Sequence, residues 1–505
     1  MAIIGIHPPF SNFDFVDEKF HGQPSIRRLF SLARIHNCAS VVVEDIPAEG
    51  IVAKENDEIA EYCFDYQMGG LKRLSFWKPS LNDRGEIAGL SRDDLVGYAL
   101  IKKDIAPSRT VQSWHVFESV FLKYPHEHNY VAGARDFAVR VDATRFEVRG
   151  VLYCQQNTLN KACAQVALRS LCSFQVPDLE LSFNRINDLA AQVSGPFDPG
   201  KGLTVAQIRA VLNGLNIHFH DIDYTLDEDG TLRSDLPYQK FLYAGIESGG
   251  GSLLGFQLTG SEADHRHIVP FFGHTFNQDM WVPNADVAYF KVGEGTRYIP
   301  SEAWLSSFIG HDDNFGSNFC VPKLYVRPEH VEYVVELLRG ETSYSGTTAE
   351  AVGVNYLYSI IDDLGNLTDR WSERLMKYSD NQQVVLRALA LKRDEYVRYL
   401  RSAQDWHGKR EARQLCEIFA HHLPDWIWVV EVSVPELFPT NLRKLGEIVL
   451  DATRPLTATQ DYTSFALARL PGVYMFIKKV DHGKPEFLRV PSKFASHTPL
   501  CKVPM

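Results

Sequence analysis

Gln155-Gln156-Asn157-Thr158-Leu159-Asn160-Lys161-Ala162-Cys163-Ala164-Gln165-Val166-Ala167-Leu168 sets a glutamine seven residues ahead of a cysteine that opens a predicted helix. Asn160 is placed to cap that helix, and Val166, Ala167, Ser170 and Leu171 supply a small apolar face. A thiol in the first turn of a helix meets unpaired N–H groups and the positive end of the helix dipole, which favour a thiolate nucleophile. An upstream glutamine side chain can donate to the oxyanion formed when a thiolate attacks a carbonyl. Gln156 is the expected donor together with the backbone N–H of Cys163, and Gln155 is the alternate, because a one-residue bulge exchanges the two. The plainer reading is a buried cysteine on a core helix.

Two later segments bear on that choice. Residues 241–276 read as two strands joined by a charged loop, with Asp264-His265-Arg266-His267 opening the second strand and His274 closing it. His267 is preferred over His274 as a working imidazole because it adjoins the polar loop. Tyr298 to Gly316 then places Asp312 and Asp313 after the apolar pair Phe308-Ile309.

A cysteine on a helix, a histidine on a strand and a carboxylate after a later strand, in that order, resemble the papain-like cysteine peptidases, nearest their bacterial bacteriocin-leader-peptidase branch. Asp313-Asn314-Phe315-Gly316 is similar to the Asn-Ser-Trp-Gly turn that carries the third triad member in papain. The resemblance spans residues 150 to 325 and requires an insertion at 279–289. Cys163 is followed by Ala164 where the family often has glycine. It implies that His267 activates Cys163, that one of Asp312 and Asp313 orients the ring, and that the reaction is peptide or isopeptide hydrolysis. Neighbours on an extended segment face opposite ways, so only one acid is expected to reach His267. Asp313 is the one chosen, with Asp312 facing solvent or capping the turn; Asp279 and Asp286 stand next in line.

Composition limits the alternatives. At 505 residues the chain exceeds one core. The expected architecture is α+β, with an N-terminal mixed α/β domain over 1–149, the papain-like domain over 150–328 and a C-terminal helical-then-strand accessory domain over 329–505. A formal net charge of -11 argues against nucleic acid as a partner, since phosphate binding needs a basic surface. No run approaches the ~20 apolar residues needed to span a membrane. The eight cysteines are scattered without paired spacing, as in a reduced, cytoplasmic protein. The expected partner is a peptide or protein substrate, and the oligomeric state is left open.

Other motifs carry weaker signals. Gly195 to Gly202 nearly matches a phosphate-binding loop, but Gly202 stands where a hydroxyl is required and two prolines remove donors; Thr204 reads as the cap of a helix over 205–212. His126 and His128 fall in a proline turn. His218, His220 and Asp221 with His265 and His267 form the alternative of a metal-dependent hydrolase. A non-catalytic binding module of the same fold is the other alternative. No cofactor and no resident metal is expected. Gly249-Gly250-Gly251 reads as a turn near the cleft. Helices are predicted over 367–379 and 381–404, and strands over 427–434, 447–452 and 473–480.

Overall fold

Five strands, Ala2–Gly5, Ser40–Asp45, Gln67–Trp77, Leu95–Ala106 and Val111–Phe121, lie side by side in sequence order, each antiparallel to the next. In this computed structural model the described residues are 1–125, 129–160, 162–177, 181–195, 198, 201–225, 234, 236–258, 266–277, 290–292, 296–361, 370–402, 420–456, 462–481, 484–491 and 497–502. Helices Asn12–Phe20 and Pro24–Ile35 put Val16, Phe20, Ile26, Leu29 and Phe30 against one face of that sheet. The hairpin Arg135–Val141 and Thr144–Gly150 turns at Asp142, which takes the left-handed conformation such a tight turn demands.

A second sheet carries the candidate site. Its order is Gly316–Pro322, Leu305–Asp312, Arg266–Phe276, Ser252–Gln257, Val331–Leu338 and His218–Asp223, and every pair is antiparallel. The helix Cys163–Gln175 packs against Arg266–Phe276, burying Ala164, Val166, Ala167, Leu168, Leu171 and Cys172. Strand Arg266–Phe276 is covered on both faces, and only its first residue is exposed. The same core contains Val42, Trp77, Tyr98 and Val120 from the first sheet and Leu253, Ile268, Ile309 and Leu337 from the second. It therefore runs straight across residue 149.

The third sheet joins Phe290–Val292, Thr296–Pro300, Val385–Lys392, Trp426–Ser433, Gly446–Asp451, Phe465–Leu470, Val473–Asp481 and Lys484–Pro491. One pairing in it is parallel, Thr296–Pro300 with Val385–Lys392. The molecule is thus mixed helix and sheet, α+β. Among the described residues no helix is long and apolar enough to cross a membrane.

Several local expectations change. The stretch at 241 begins in a helix, Tyr238–Glu247, whose every residue is buried, so no polar face marks its period. Gly249, at φ +81, ends it, and the triple glycine turns into strand Ser252–Gln257. The helix expected over 381–404 is strand Val385–Lys392 followed by helix Arg393–Ser402. That strand is interior and buried on both sides, which removes the alternation that identifies strands. Val331–Leu338 is a strand of the second sheet although it lies beyond 328. The helix expected over 367–379 is described as Arg370–Asp380. Strands Trp426–Ser433, Gly446–Asp451 and Val473–Asp481 lie where they are expected. The insertion over 279–289, with Asp279 and Asp286, and residues His126, His128 and His265 lie outside the described residues.

Candidate active site

Cys163 is the first residue of its helix, half-buried at one wall of a cleft of about 870 Å³. The cap is Ala162, whose side chain accepts nothing, rather than Asn160. Asn160 is held elsewhere: its side chain donates to Tyr62 Oη (3.0 Å) and its N–H to Asn157 Oδ1 (3.2 Å). The first turn of the helix therefore has no side-chain cap from its N-cap residue.

The two glutamines separate by their partners. Gln155 is stitched to the last strand of the first sheet: its N–H donates to Val116 O (3.0 Å) and its Oε1 accepts from Val116 N (2.9 Å). Gln156 lines the cleft beside Cys163. Asn157 anchors the loop, donating to Glu55 Oε1 (3.1 Å) while its Oδ1 accepts from Leu159 N and Asn160 N.

His267 is the second residue of strand Arg266–Phe276, 7% exposed, with the Phe256 ring set edge-on to it at 5.6 Å. It lines the same cleft as Cys163, which is among the neighbours that raise its pKa. Its Nε2 lies 3.2 Å from Asp312 Oδ2 and 3.4 Å from Asp313 Oδ1. His274 is not at the site; it is buried against Glu247 Oε1 (2.5 Å) between Tyr130 and Tyr243.

Asp312 does not face solvent: it is 4% exposed and Asp313 6%. It does cap the turn, its Oδ1 accepting from Asn314 N (2.8 Å) and Phe315 N (3.2 Å). The expectation that one acid alone reaches the ring fails because strand Leu305–Asp312 ends at Asp312 and Asp313 already lies in the turn to Gly316, where alternation no longer applies. Beside it, the pairing with Gly316–Pro322 slips between Gly310 and Asp312, a β-bulge. The two carboxylates are not equivalent. Both oxygens of Asp313 are buried without a well-formed side-chain hydrogen bond.

Charge follows from this packing. Burial disfavours a charged His267, but the hydrogen bond to Asp312, the neighbouring Cys163 and the negative fields of Asp313 and Asp312 outweigh it, lifting the ring to about 10. Burial, reinforced by the neighbouring Asp312, pushes Asp313 up to about 6 despite the pull of His267. Burial raises the thiols of Cys38, Cys154 and Cys172 to about 12, and those of Cys63, Cys320 and Cys501 also lie above their ordinary value.

Residues that sequence reasoning missed complete the cleft. Tyr333 lies across Gly255 of the neighbouring strand, where any side chain would strike its ring. A glycine inside the apolar run Leu253-Leu254-Gly255-Phe256 is the signal that a neighbour comes close. Two ion pairs, Arg209–Asp221 (3.0 Å at Nε) and Arg266–Glu332 (2.9 Å), flank the opening. Lys201 and Gly202 also line it, and Thr204 caps helix Val205–Gly214 in a capping box with Gln207. The first metal alternative is otherwise engaged, since His220 Nε2 meets Thr342 Oγ1 (2.8 Å) and Asp221 pairs with Arg209. Among the described residues the one group of three compact enough to hold an ion is His267, Asp312 and Asp313.

Compared with protein-family models and with curated proteins, the chain finds no match.

Proposed function

We propose that this protein is a papain-like, thiol-dependent hydrolase that cleaves a peptide or isopeptide bond. One observation carries the reading: Cys163, at the start of a helix, shares a cleft with His267, whose Nε2 is held by the buried carboxylate of Asp312. His267 takes the proton of Cys163, and the thiolate attacks the carbonyl carbon of the scissile bond. The Gln156 side chain and the Cys163 N–H donate to the resulting oxyanion. Collapse of the tetrahedral species passes the His267 proton to the leaving amine and leaves a thioester on Cys163. Water, deprotonated by His267, then releases the acid and restores the thiol. Asp312 keeps the ring in the working tautomer throughout. Free, scattered cysteines fit a reducing compartment such as the cytoplasm, where the nucleophile stays usable.

The test has two parts. Limiting iodoacetamide followed by peptide mapping should label Cys163 first among the cysteines, and His267→Ala should remove that preference. A pool of fluorogenic peptides should be cleaved by the parent and not by Cys163→Ala, with a loss on the order of 10³-fold or more. Cleavage that survives Cys163→Ala, but stops with a chelator and returns with zinc, would instead assign His267, Asp312 and Asp313 to a metal.

A further inference from the structure

The β-bulge beside Asp312 is held from outside its own sheet. Gly310 pairs with Phe319 and Asp312 with Gly316, so Ser317 and Asn318 together stand opposite the single residue His311. A bulge of this kind removes backbone groups from the ladder and needs other partners to keep its shape. Arg28, on helix Pro24–Ile35 of the N-terminal region, supplies them. Its Nε donates to Ser317 O (3.1 Å) and its Nη2 to Asn318 O (2.5 Å). The guanidinium is half-buried, with its Cζ 6.0 Å from the ring of Tyr124 and 5.9 Å from that of Phe319.

The backbone is fitted to this arginine. Gly316 has φ +112, and a Cβ there would lie 2.9 Å from Arg28 Cγ and 3.0 Å from Arg28 Cβ. On the inner side, Asn318, itself left-handed at φ 49, donates its N–H to His311 Nδ1 (3.1 Å), while His311 Nε2 faces Val151 O (3.4 Å). The bulge is therefore gripped between a neutral, buried imidazole and a two-pronged guanidinium. A fork of two fixed donors suits two successive carbonyls in a way a lysine ammonium does not.

We propose that Arg28 is a positioning residue for the candidate triad, acting through Asp312. This rests on the thiol-hydrolase reading. Helix Pro24–Ile35 sets the bulge, the bulge sets the direction of Asp312, and Asp312 sets the ring of His267. The N-terminal region is on this account a structural part of the site.

The experiment compares Arg28→Ala, Arg28→Lys and, as a control on the same helix, Arg27→Ala, each in the full chain. It measures kcat and KM on a cleaved peptide and the rate of Cys163 alkylation by iodoacetamide across pH. Arg28→Ala should lower kcat by roughly tenfold or more with KM within about twofold, the pattern of a group that acts on the reacting geometry. Its alkylation profile should shift in pH, Arg28→Lys should fall between, and Arg27→Ala should match the parent. In an Asp312→Ala background the loss from Arg28→Ala should vanish, because the two act in series. If Arg28→Ala does not fold, Arg28→Lys carries the same comparison, keeping the stem and one donor direction. An unchanged kcat and profile in a folded Arg28 variant, or full multiplicative losses in the double variant, overturns the proposal. A parent in which Cys163 is not alkylated preferentially overturns the hydrolase reading instead.

Discussion

Asp312 and Asp313 converge on one nitrogen of His267, at 3.2 and 3.4 Å, although they are consecutive residues. Asp312 also accepts two N–H groups of its own turn, whereas burial pushes Asp313 up. The carboxylate pinned by its own turn is the one held in a fixed direction toward the ring. Asp312→Ala should therefore lower the hydrolytic rate severely, by roughly 10²-fold or more, through a ring free to take the wrong tautomer. Asp313→Ala should cost about tenfold or less. Steady-state rates of the two variants decide the order, and the reverse ranking would make Asp313 the orienting acid.

The pH profile should carry two marks. His267 in the folded protein holds its proton up to about 10, far above an ordinary imidazole. The stability this contributes is complete below about 6.5 and is lost as pH rises through about 10. Melting temperature should fall over that alkaline window in the parent and stay flatter in His267→Gln. The rate should fall over the same window, as the proton destined for the leaving amine disappears. A second, shallower inflection near pH 6, from Asp313, should be absent in Asp313→Asn.

Gln155 and Gln156 should behave oppositely. Gln156→Ala removes a donor to the oxyanion and should lower kcat by roughly 10- to 100-fold with little change in melting temperature. Gln155→Ala leaves the N–H of Val116 unpaired and should cost about 1–3 kcal/mol of stability with kcat close to the parent. Chemical denaturation and kinetics on the two variants separate these roles.

His274 tests the choice of histidine. It bridges to Glu247, which also pairs with Arg387 (2.9 Å at Nε). His274→Ala should destabilise the protein by about 3 kcal/mol, as expected when a buried ionic group loses a partner. Preferential alkylation of Cys163 should survive in the folded fraction, whereas it should not survive His267→Ala.

The cysteine, the histidine and the acid pair were readable because each announces itself locally, by a helix start, a strand opening and a polar turn after an apolar run. What was not readable depends on remote partners. Nothing near Asp312 reveals that the strand stops there, so alternation, carried one residue too far into the turn, wrongly excluded one acid. Nothing near Gln155 reveals Val116, and nothing near Asn160 reveals Tyr62, which takes its side chain from the helix end. Tyr238–Glu247 and Val385–Lys392 defeated periodicity because burial on every side erases the polar residues that periodicity counts.

Strand Val331–Leu338 sits between Ser252–Gln257 and His218–Asp223 and brings Tyr333 and Glu332 to the cleft. A chain still on the ribosome, with residues up to 330 made, contains Cys163, His267, Asp312 and Asp313 but lacks the strand that pairs with both Ser252–Gln257 and His218–Asp223. Folding from the N-terminus during synthesis would thus close the site late. In a chain that folds as it is made, the wall formed by Glu332 and Tyr333 joins the cleft around Cys163 last, once the polypeptide has passed residue 338.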